Sequence, residues 1–242
     1  MFQTFKGYSG VASGSFSTFT NHLILAFFSK KKYPPYWNRY LEGFSEKPPK
    51  SIVDARFIVF DTETTGLNPS NDKLLSIGAV TVQGNCIDVQ QSFEVFVEQE
   101  KFTPETVQIH GIRKAGSVNK ITEAKAMEAF LDFLENGILV AHHVDFDVAM
   151  INGALKQLKL PKLKNNCIDT GDLYRMLLGK PQRPISLDAL CEEFGVKTHD
   201  RHNALGDALI TAMLFQKITR QLQHEKKYTL ADLFHTSKSH GW

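Results

Sequence analysis

Hydrophobic residues along the chain form short unbroken runs in some places and helix-spaced repeats in others. Five segments have the short apolar or alternating pattern of strands, namely residues 57–60, 74–82, 87–97, 138–141 and 167–169. The dipeptide Gly84-Asn85 lies between the second and the third segment and predicts a hairpin. The first run is uninterrupted, which favours a central strand that is buried on both faces.

Helical spacing appears between and after these strands. One set of apolar residues comprises Ala124, Met127, Phe130, Leu131 and Leu134, and the next comprises Val148, Ile151, Leu155 and Leu158. Ser186 is a candidate N-cap for a helix that ends near Phe194, and a long helix is expected over 203–222. Three strands followed by alternating helices and strands predict an α/β fold, with a mixed five-stranded sheet flanked by helices.

The first 50 residues differ in composition from the rest of the chain. No Asp or Glu precedes Glu42, and Ser, Thr, Gly and Phe are frequent. A transit peptide has such a composition but favours arginine, and Arg39 is the one arginine here; a disordered tail and an unused upstream start codon are the alternatives. Aromatic residues at helical spacing over 36–44 predict a short helix that docks on the domain. We expect an extension at 1–50, a folded domain at 51–222 and a tail at 223–242.

Net charge and cysteine content exclude only a few classes of protein. The formal net charge of +2 provides no global basic field, so nucleic-acid binding would need a local patch or bound metal. The three cysteines, Cys86, Cys167 and Cys191, form no CxxC pair and no disulfide framework, which predicts a reducing, cytoplasmic location. The longest strongly apolar run, 23–28, is far too short to span a membrane, so no membrane partner is expected.

The strongest chemical signal directly follows the first apolar strand, in the sequence DTETTGL at 61–67. Asp61 and Glu63 stand two residues apart, so on a strand their side chains point to the same face. Two like charges this close repel each other unless a cation compensates them, and hard oxygen ligands suit Mg²⁺ or Mn²⁺. The competing interpretation is an ordinary polar turn at a strand end.

Two further segments carry acidic and imidazole groups at the starts of predicted helices, AHHVDFD at 141–147 and HNALGD at 202–207. His202 precedes Asp207 by five residues, so a loop-borne imidazole could lean over a helix-borne carboxylate. Of the two acids in the first segment, Asp147 is in helical phase with the apolar residues that follow it. Asp145 is expected to cap that helix or to face solvent.

In this order, D-x-E, H-x-x-x-F-D and H-x-A-x-x-D resemble the motifs of the DnaQ-like 3′→5′ exonucleases of the DEDDh branch. That family includes the proofreading (epsilon) subunit of bacterial DNA polymerase III. The resemblance covers about 57–222, with secondary matches at 104–112, 168–170 and 186–191. It implies an RNase H-like fold, in agreement with the order of elements. One departure is His143-Val144, where the family usually has Asn-Ala; it leaves the ligand Asp in place, but the family's substrate contacts at this position are not carried over to His143.

The resemblance also implies roles for individual residues. Two Mg²⁺ or Mn²⁺ ions would be held by four carboxylates, Asp61, Glu63, Asp147 and Asp207. His202 would act as general base, and the products would be nucleoside 5′-monophosphates. The terminal nucleotide would be seated by Thr62, Thr64, Leu67, His110, Gly111 and Ile112.

Several alternatives remain open from the sequence. The substrate strand, a single-stranded 3′ end, is expected to be DNA, but metal-binding motifs do not separate DNA from RNA. A non-catalytic nucleic-acid-binding module is the alternative from another class, although all five motif residues are present. A DNA polymerase is a candidate partner. Residues 229–234 faintly resemble sliding-clamp-binding peptides without their leading Gln, and a helix end or disordered tail is the competing interpretation.

Overall fold

The computed structural model describes residues 32–99, 119–179, 184–198, 201–225 and 228–234. The strands are β1 Phe57–Thr64, β2 Leu74–Gln83, β3 Cys86–Val97, β4 Lys120–Ile121, β5 Ile138–Ala141 and β6 Cys167–Asp169. The helices are α1 Pro35–Glu42, α2 Glu123–Leu134, α3 Val144–Gln157, α4 Thr170–Leu178, α5 Leu187–Phe194 and α6 Ala204–Glu225, with short 3₁₀ helices at Gly43–Ser45 and Leu230–Leu233. The predicted contacts at His110, Gly111 and Ile112 lie outside the described residues.

The strands form one mixed sheet in the order β4-β3-β2-β1-β5-β6. Strands β1, β2 and β3 pair antiparallel, as the hairpin signal predicts, whereas β1–β5, β5–β6 and β3–β4 are parallel pairs. The mixed α/β architecture is confirmed. The sheet has one strand more than the five expected, because β4 contributes only two residues, Lys120 and Ile121, and so short a segment has no periodicity to detect.

Strand β1 separates two hydrophobic layers because successive side chains point to opposite faces. Phe57 and Val59 pack on one face with α4, α5 and α6, while Ile58 and Phe60 pack on the other with α1, α2 and α3. The strand is therefore buried on both faces up to residue 60, as its uninterrupted apolar run predicts. Beyond that point polar residues begin, and the same alternation continues through them.

Helix α1 packs on the domain through its aromatic residues. Trp37 and Tyr40 are buried, and the Tyr40 hydroxyl donates to Asn165 Oδ1 at 2.6 Å and accepts from the backbone N–H of Lys164 at 2.7 Å. Arg39 pairs with Asp132 on α2 through both carboxylate oxygens. Residues 33–50 thus lie in the same compact unit as the sheet.

The segment after α6 is also tied to the core. Leu230 and Leu233 are buried in the layer on the α6 side of the sheet, and the preceding Thr229 caps the short 3₁₀ helix together with Asp232. The leucines that a clamp-binding peptide would present are therefore packed in this domain. Across the described ranges, every helix is too short or too polar to cross a bilayer.

Candidate active site

Three carboxylates converge where β1 emerges from the core. Asp61 and Glu63 lie on the α6 face of the sheet, as their spacing predicts, and Asp207 approaches them from the first turn of α6. One carboxylate oxygen from each of the three lies within 4.8 Å of the other two. Asp207 is almost fully buried, while Asp61 and Glu63 are half-buried.

The fourth predicted ligand, Asp147, stands beside this cluster at the start of α3 and is 3% exposed. Its Oδ1 accepts the backbone N–H of Thr62 at 3.0 Å and the Thr62 hydroxyl at 2.7 Å. Thr62 sits between the two strand carboxylates, so it connects Asp147 directly to them. Asp147 uses both donors of Thr62, so in this conformation neither is available for the contact with a terminal nucleotide that the resemblance implies for Thr62.

The charges of the cluster perturb one another. Burial raises the pKa of Asp61 well above its usual range, and the neighbouring Asp147, Glu63 and Asp207 raise it further. The pKa of Glu63 is raised to about 7, first by burial and then by Asp207. The pKa of Asp147 is also raised to about 7 by burial, although the two Thr62 hydrogen bonds oppose the shift. Such crowding of hard oxygen ligands fits divalent cations, which would remove the repulsion.

Arg201 is a member of this site that the sequence motifs did not reveal. Its guanidinium donates to Asp207 Oδ1 and, at 2.7 Å, to Asp188 Oδ1 on α5. The ion pair partly neutralises Asp207 and ties the residues before α6 to α5. The sequence offered one signal for Arg201, its position next to His202. A single sequence does not show which residues Arg201 contacts.

His202 precedes α6 in a left-handed backbone conformation, with φ of 64°. Its backbone N–H donates to Asp207 Oδ2 at 3.2 Å, and its side chain is exposed. The predicted base therefore lies next to the predicted ligand, where its imidazole can reach solvent. Asn203 Oδ1 accepts the N–H of Gly206 at 3.0 Å and so caps the first turn that carries Asp207.

A buried polar network braces the start of α3. Asp169 Oδ2 accepts the N–H of Val144 at 2.7 Å, and its Oδ1 accepts that of Gly171 at 2.8 Å. His142 donates from Nε2 to the carbonyl of Ile185 at 2.9 Å and accepts the Thr170 hydroxyl at Nδ1, also at 2.9 Å. Burial lowers the pKa of His142 to about 4, so this imidazole is neutral. Asp145, which was expected to cap α3 or to face solvent, is exposed in the first turn of α3, and His143 occupies the N-cap position.

The loop after β1 presents a hydrophobic side chain to solvent. Leu67 is 85% exposed. Asp72 holds the loop closed, since its carboxylate accepts the Thr65 hydroxyl at 3.0 Å and the N–H of Asn68 at 2.9 Å. The Thr64 hydroxyl donates to the carbonyl of Gly66 at 2.7 Å. An exposed leucine on a hydrogen-bonded loop is suited to contact the apolar face of a nucleobase.

Comparisons with known proteins identify a family and relatives with similar sequences. The family model described as Exonuclease (RNase_T) matches residues 58–215. The DNA polymerase III subunit epsilon of Aquifex aeolicus is 32% identical over 185 residues, which are 76% of this chain and 89% of that protein. The PolC-type DNA polymerase III of Thermotoga maritima is 34% identical over 170 residues, but the chain spans only 12% of its length.

Solved structures show the same fold. Exonuclease X in complex with 5′ overhanging duplex DNA is 26% identical, with a TM-score of 0.55, over 74% of this chain and 96% of that one. Exonuclease I of E. coli in complex with a dT13 oligonucleotide has a TM-score of 0.61 at 17% identity, over 71% of this chain and 42% of that one. The expected RNase H-like fold is thereby confirmed.

Proposed function

The chain belongs to the exonuclease family whose model it matches, and from that premise we propose that it hydrolyses DNA 3′ ends to nucleoside 5′-monophosphates with two Mg²⁺ or Mn²⁺ ions. The observation that carries the proposal is the convergence of Asp61, Glu63 and Asp207, with Asp147 held beside them by Thr62. His202, an exposed histidine just before α6, lies next to Asp207 and is the fifth residue of the proposed site. Proofreading or repair is the role that the epsilon-subunit relative supports.

The four carboxylates would hold the ions. When bound, two such ions lower the pKa of an attacking water and stabilise the attacking and leaving oxygens of the phosphodiester. The protein supplies the ligand geometry: β1 positions Asp61 and Glu63, α3 positions Asp147, and α6 positions Asp207. Because each carboxylate comes from a packed strand or helix, the cluster is preorganised for the reaction.

His202 would accept the proton of the attacking water. Histidine is the side chain that most often serves as a general base in enzymes. The left-handed backbone at this position places the side chain outside α6 while its N–H remains bonded to Asp207. Leu67, and His110 to Ile112 from the undescribed part of the chain, would seat the terminal nucleotide.

A DNA polymerase is the partner that the epsilon-subunit and PolC-type relatives support, and a cytoplasmic location would follow for a replication subunit of that kind. A sliding-clamp contact through 229–234 would require Leu230 and Leu233 to leave the core. We therefore propose that any contact with a clamp or a polymerase uses a surface other than 229–234.

The test is digestion of 5′-labelled single-stranded DNA and a matched RNA with Mg²⁺ or Mn²⁺. We expect stepwise shortening from the 3′ end, release of 5′-mononucleotides, and faster cleavage of DNA. The double variant D61N/E63Q should be inactive, and D132N, which changes a surface acid paired with Arg39, should behave as wild type. Faster RNA cleavage would make the protein an exoribonuclease. Binding without cleavage would identify a non-catalytic module, and full activity in excess chelator would exclude metal dependence.

A further inference from the structure

The first turn of α6 rests directly on the backbone of β2 at Gly78. A Cβ atom built on Gly78 would come closer than 3.0 Å to Leu205 N, Ala204 C and Leu205 Cα, a separation that real Cβ atoms essentially never show. All three are backbone atoms of α6. No side chain can rotate away to make room, so the helix can occupy this position only because residue 78 has no side chain.

The same contact lies within the carboxylate cluster. Gly78 is directly opposite Asp61 in the β1–β2 pairing. Leu205, which touches Gly78, is two residues before Asp207 in the same helical turn. On the far side of Gly78, its β3 partner Glu94 accepts a long hydrogen bond of 3.5 Å from Asn203 Nδ2. The contact of α6 with Gly78 and the approach of Asp207 to Asp61 therefore occur at the same place in the structure.

We propose that Gly78 is a positioning residue of the metal site, whose missing side chain sets the distance between Asp207 on α6 and Asp61 on β1. The inference rests on the proposed function, because it takes these two carboxylates as ligands of the same metal pair. Ordinary van der Waals contact needs about 3.5 Å between carbon atoms, so a methyl group at position 78 would move the helix start by on the order of 1 Å. A displacement of that size at a catalytic centre typically lowers turnover about 100-fold.

A merely structural role for Gly78 would predict something else, namely loss of stability without a specific loss of metal binding. The matched control is Val82→Ala, which removes core volume from the same strand and the same face. Val82 is four residues from Gly78 along β2, away from the carboxylates. The two variants therefore separate destabilisation of β2 from displacement of α6.

The experiment measures Mn²⁺ binding by electron paramagnetic resonance, together with thermal unfolding and oligonucleotide digestion. We expect G78A to bind Mn²⁺ at least about tenfold more weakly and to lose about 100-fold in kcat with little change in KM. V82A should be destabilised but should bind Mn²⁺ as wild type does. Adding Leu205→Ala to G78A should restore nothing, because the clash is with backbone. Mn²⁺ affinity of wild-type strength in G78A, or its recovery in the double variant, would overturn the proposal.

Two further measurements keep the outcome decisive. If G78A does not fold in buffer alone, the measurements are repeated for G78A and wild type in sucrose, which favours the folded state, and Mn²⁺ affinity of wild-type strength in folded G78A would overturn the proposal. Wild-type protein and D61N/E63Q are titrated in parallel. Equal Mn²⁺ binding by those two would refute the proposed function itself, whereas a wild-type site retained in G78A would refute only the role of Gly78.

Discussion

Thr62 donates both its backbone N–H and its hydroxyl to a single carboxylate oxygen, Oδ1 of Asp147, at 3.0 and 2.7 Å. The two residues are 85 positions apart. Because Thr62 lies between Asp61 and Glu63, this pair of hydrogen bonds joins the carboxylate of α3 to those of β1. The threonine of the D-T-E motif is therefore the residue that aligns the fourth carboxylate.

Replacing Thr62 with Val removes the hydroxyl and keeps the side-chain shape and the backbone N–H. A hydrogen bond to a charged group contributes about 1.5–3 kcal/mol, so we expect turnover to fall by roughly 10- to 100-fold. Thr81→Val is the control, since its buried hydroxyl has no hydrogen-bond partner among the described residues. Oligonucleotide digestion by both folded variants checks this. An active T62V would show that the backbone N–H alone aligns Asp147.

The two acids at the start of α3 should respond differently to amidation. Asp147→Asn should nearly abolish cleavage, because it removes a charged ligand and retains the shape. Asp145→Asn should keep most of the activity and cost about 0.3–1 kcal/mol of stability, because Asp145 is exposed in the first turn and interacts with the helix dipole. The kinetics of the two folded variants are measured in parallel. An inactive D145N beside an active D147N would show that Asp145, and not Asp147, is the ligand.

His202 should be tested with Asn, which tolerates the left-handed backbone better than Ala does. H202N should lower turnover by about two to four orders of magnitude, the usual contribution of a positioned acid or base. Mn²⁺ affinity should change little, because the bond from residue 202 to Asp207 comes from the backbone. His143→Asn places the same substitution in the same conformation at the start of α3 and should remain active. Collapse of Mn²⁺ affinity in H202N would make His202 a ligand.

Stabilisation by Mg²⁺ should increase with pH. The pKa values of Glu63 and Asp147 are raised to about 7, above those of unfolded carboxyl groups. The metal-free native state therefore holds protons that the unfolded state releases, so it loses stability as pH rises towards 7, and Mg²⁺ must displace those protons. We expect a small Mg²⁺-induced rise in Tm at about pH 5.5 and a larger one at about pH 7.5.

Comparing the Mg²⁺-induced rise in Tm at each pH, and not Tm itself, provides the control for this prediction. His142, whose pKa is lowered to about 4, contributes stability that is lost as pH falls, which is the opposite trend. Because His142 is not a ligand, its effect is equal with and without Mg²⁺ and cancels in the shift of Tm. A shift that is independent of pH would show that the carboxylates are already ionised in the metal-free protein.

Deletion of residues 1–32 should leave catalysis intact, because the site begins at Asp61. Deletion through Phe44 removes α1 with its buried Trp37 and Tyr40. Loss of one large buried aromatic side chain costs about 3–5 kcal/mol, so the longer deletion should lower Tm strongly. Thermal unfolding and digestion of a short oligonucleotide distinguish the two effects. Loss of cleavage by a folded 1–32 deletion would place the extension at the active site.

The sequence by itself determined the features that depend on neighbours in the chain. The apolar run before Asp61 made β1 a buried strand, and strand alternation then placed Asp61 and Glu63 on one face. Helical phase distinguished Asp147 from Asp145, and it is Asp147 that is buried beside the cluster. These patterns act over a few residues, where backbone geometry alone relates the side chains.

Only the tertiary structure decided which distant groups meet. The Thr62–Asp147 bonds, the Arg201 contact with Asp188 and the seat of α6 on Gly78 join segments that no local periodicity relates. The two-residue strand β4 is likewise defined by its pairing with β3 and not by any pattern of its own. Packing fixes such contacts because they depend on how whole strands and helices approach one another, and that approach is set by the two hydrophobic layers together.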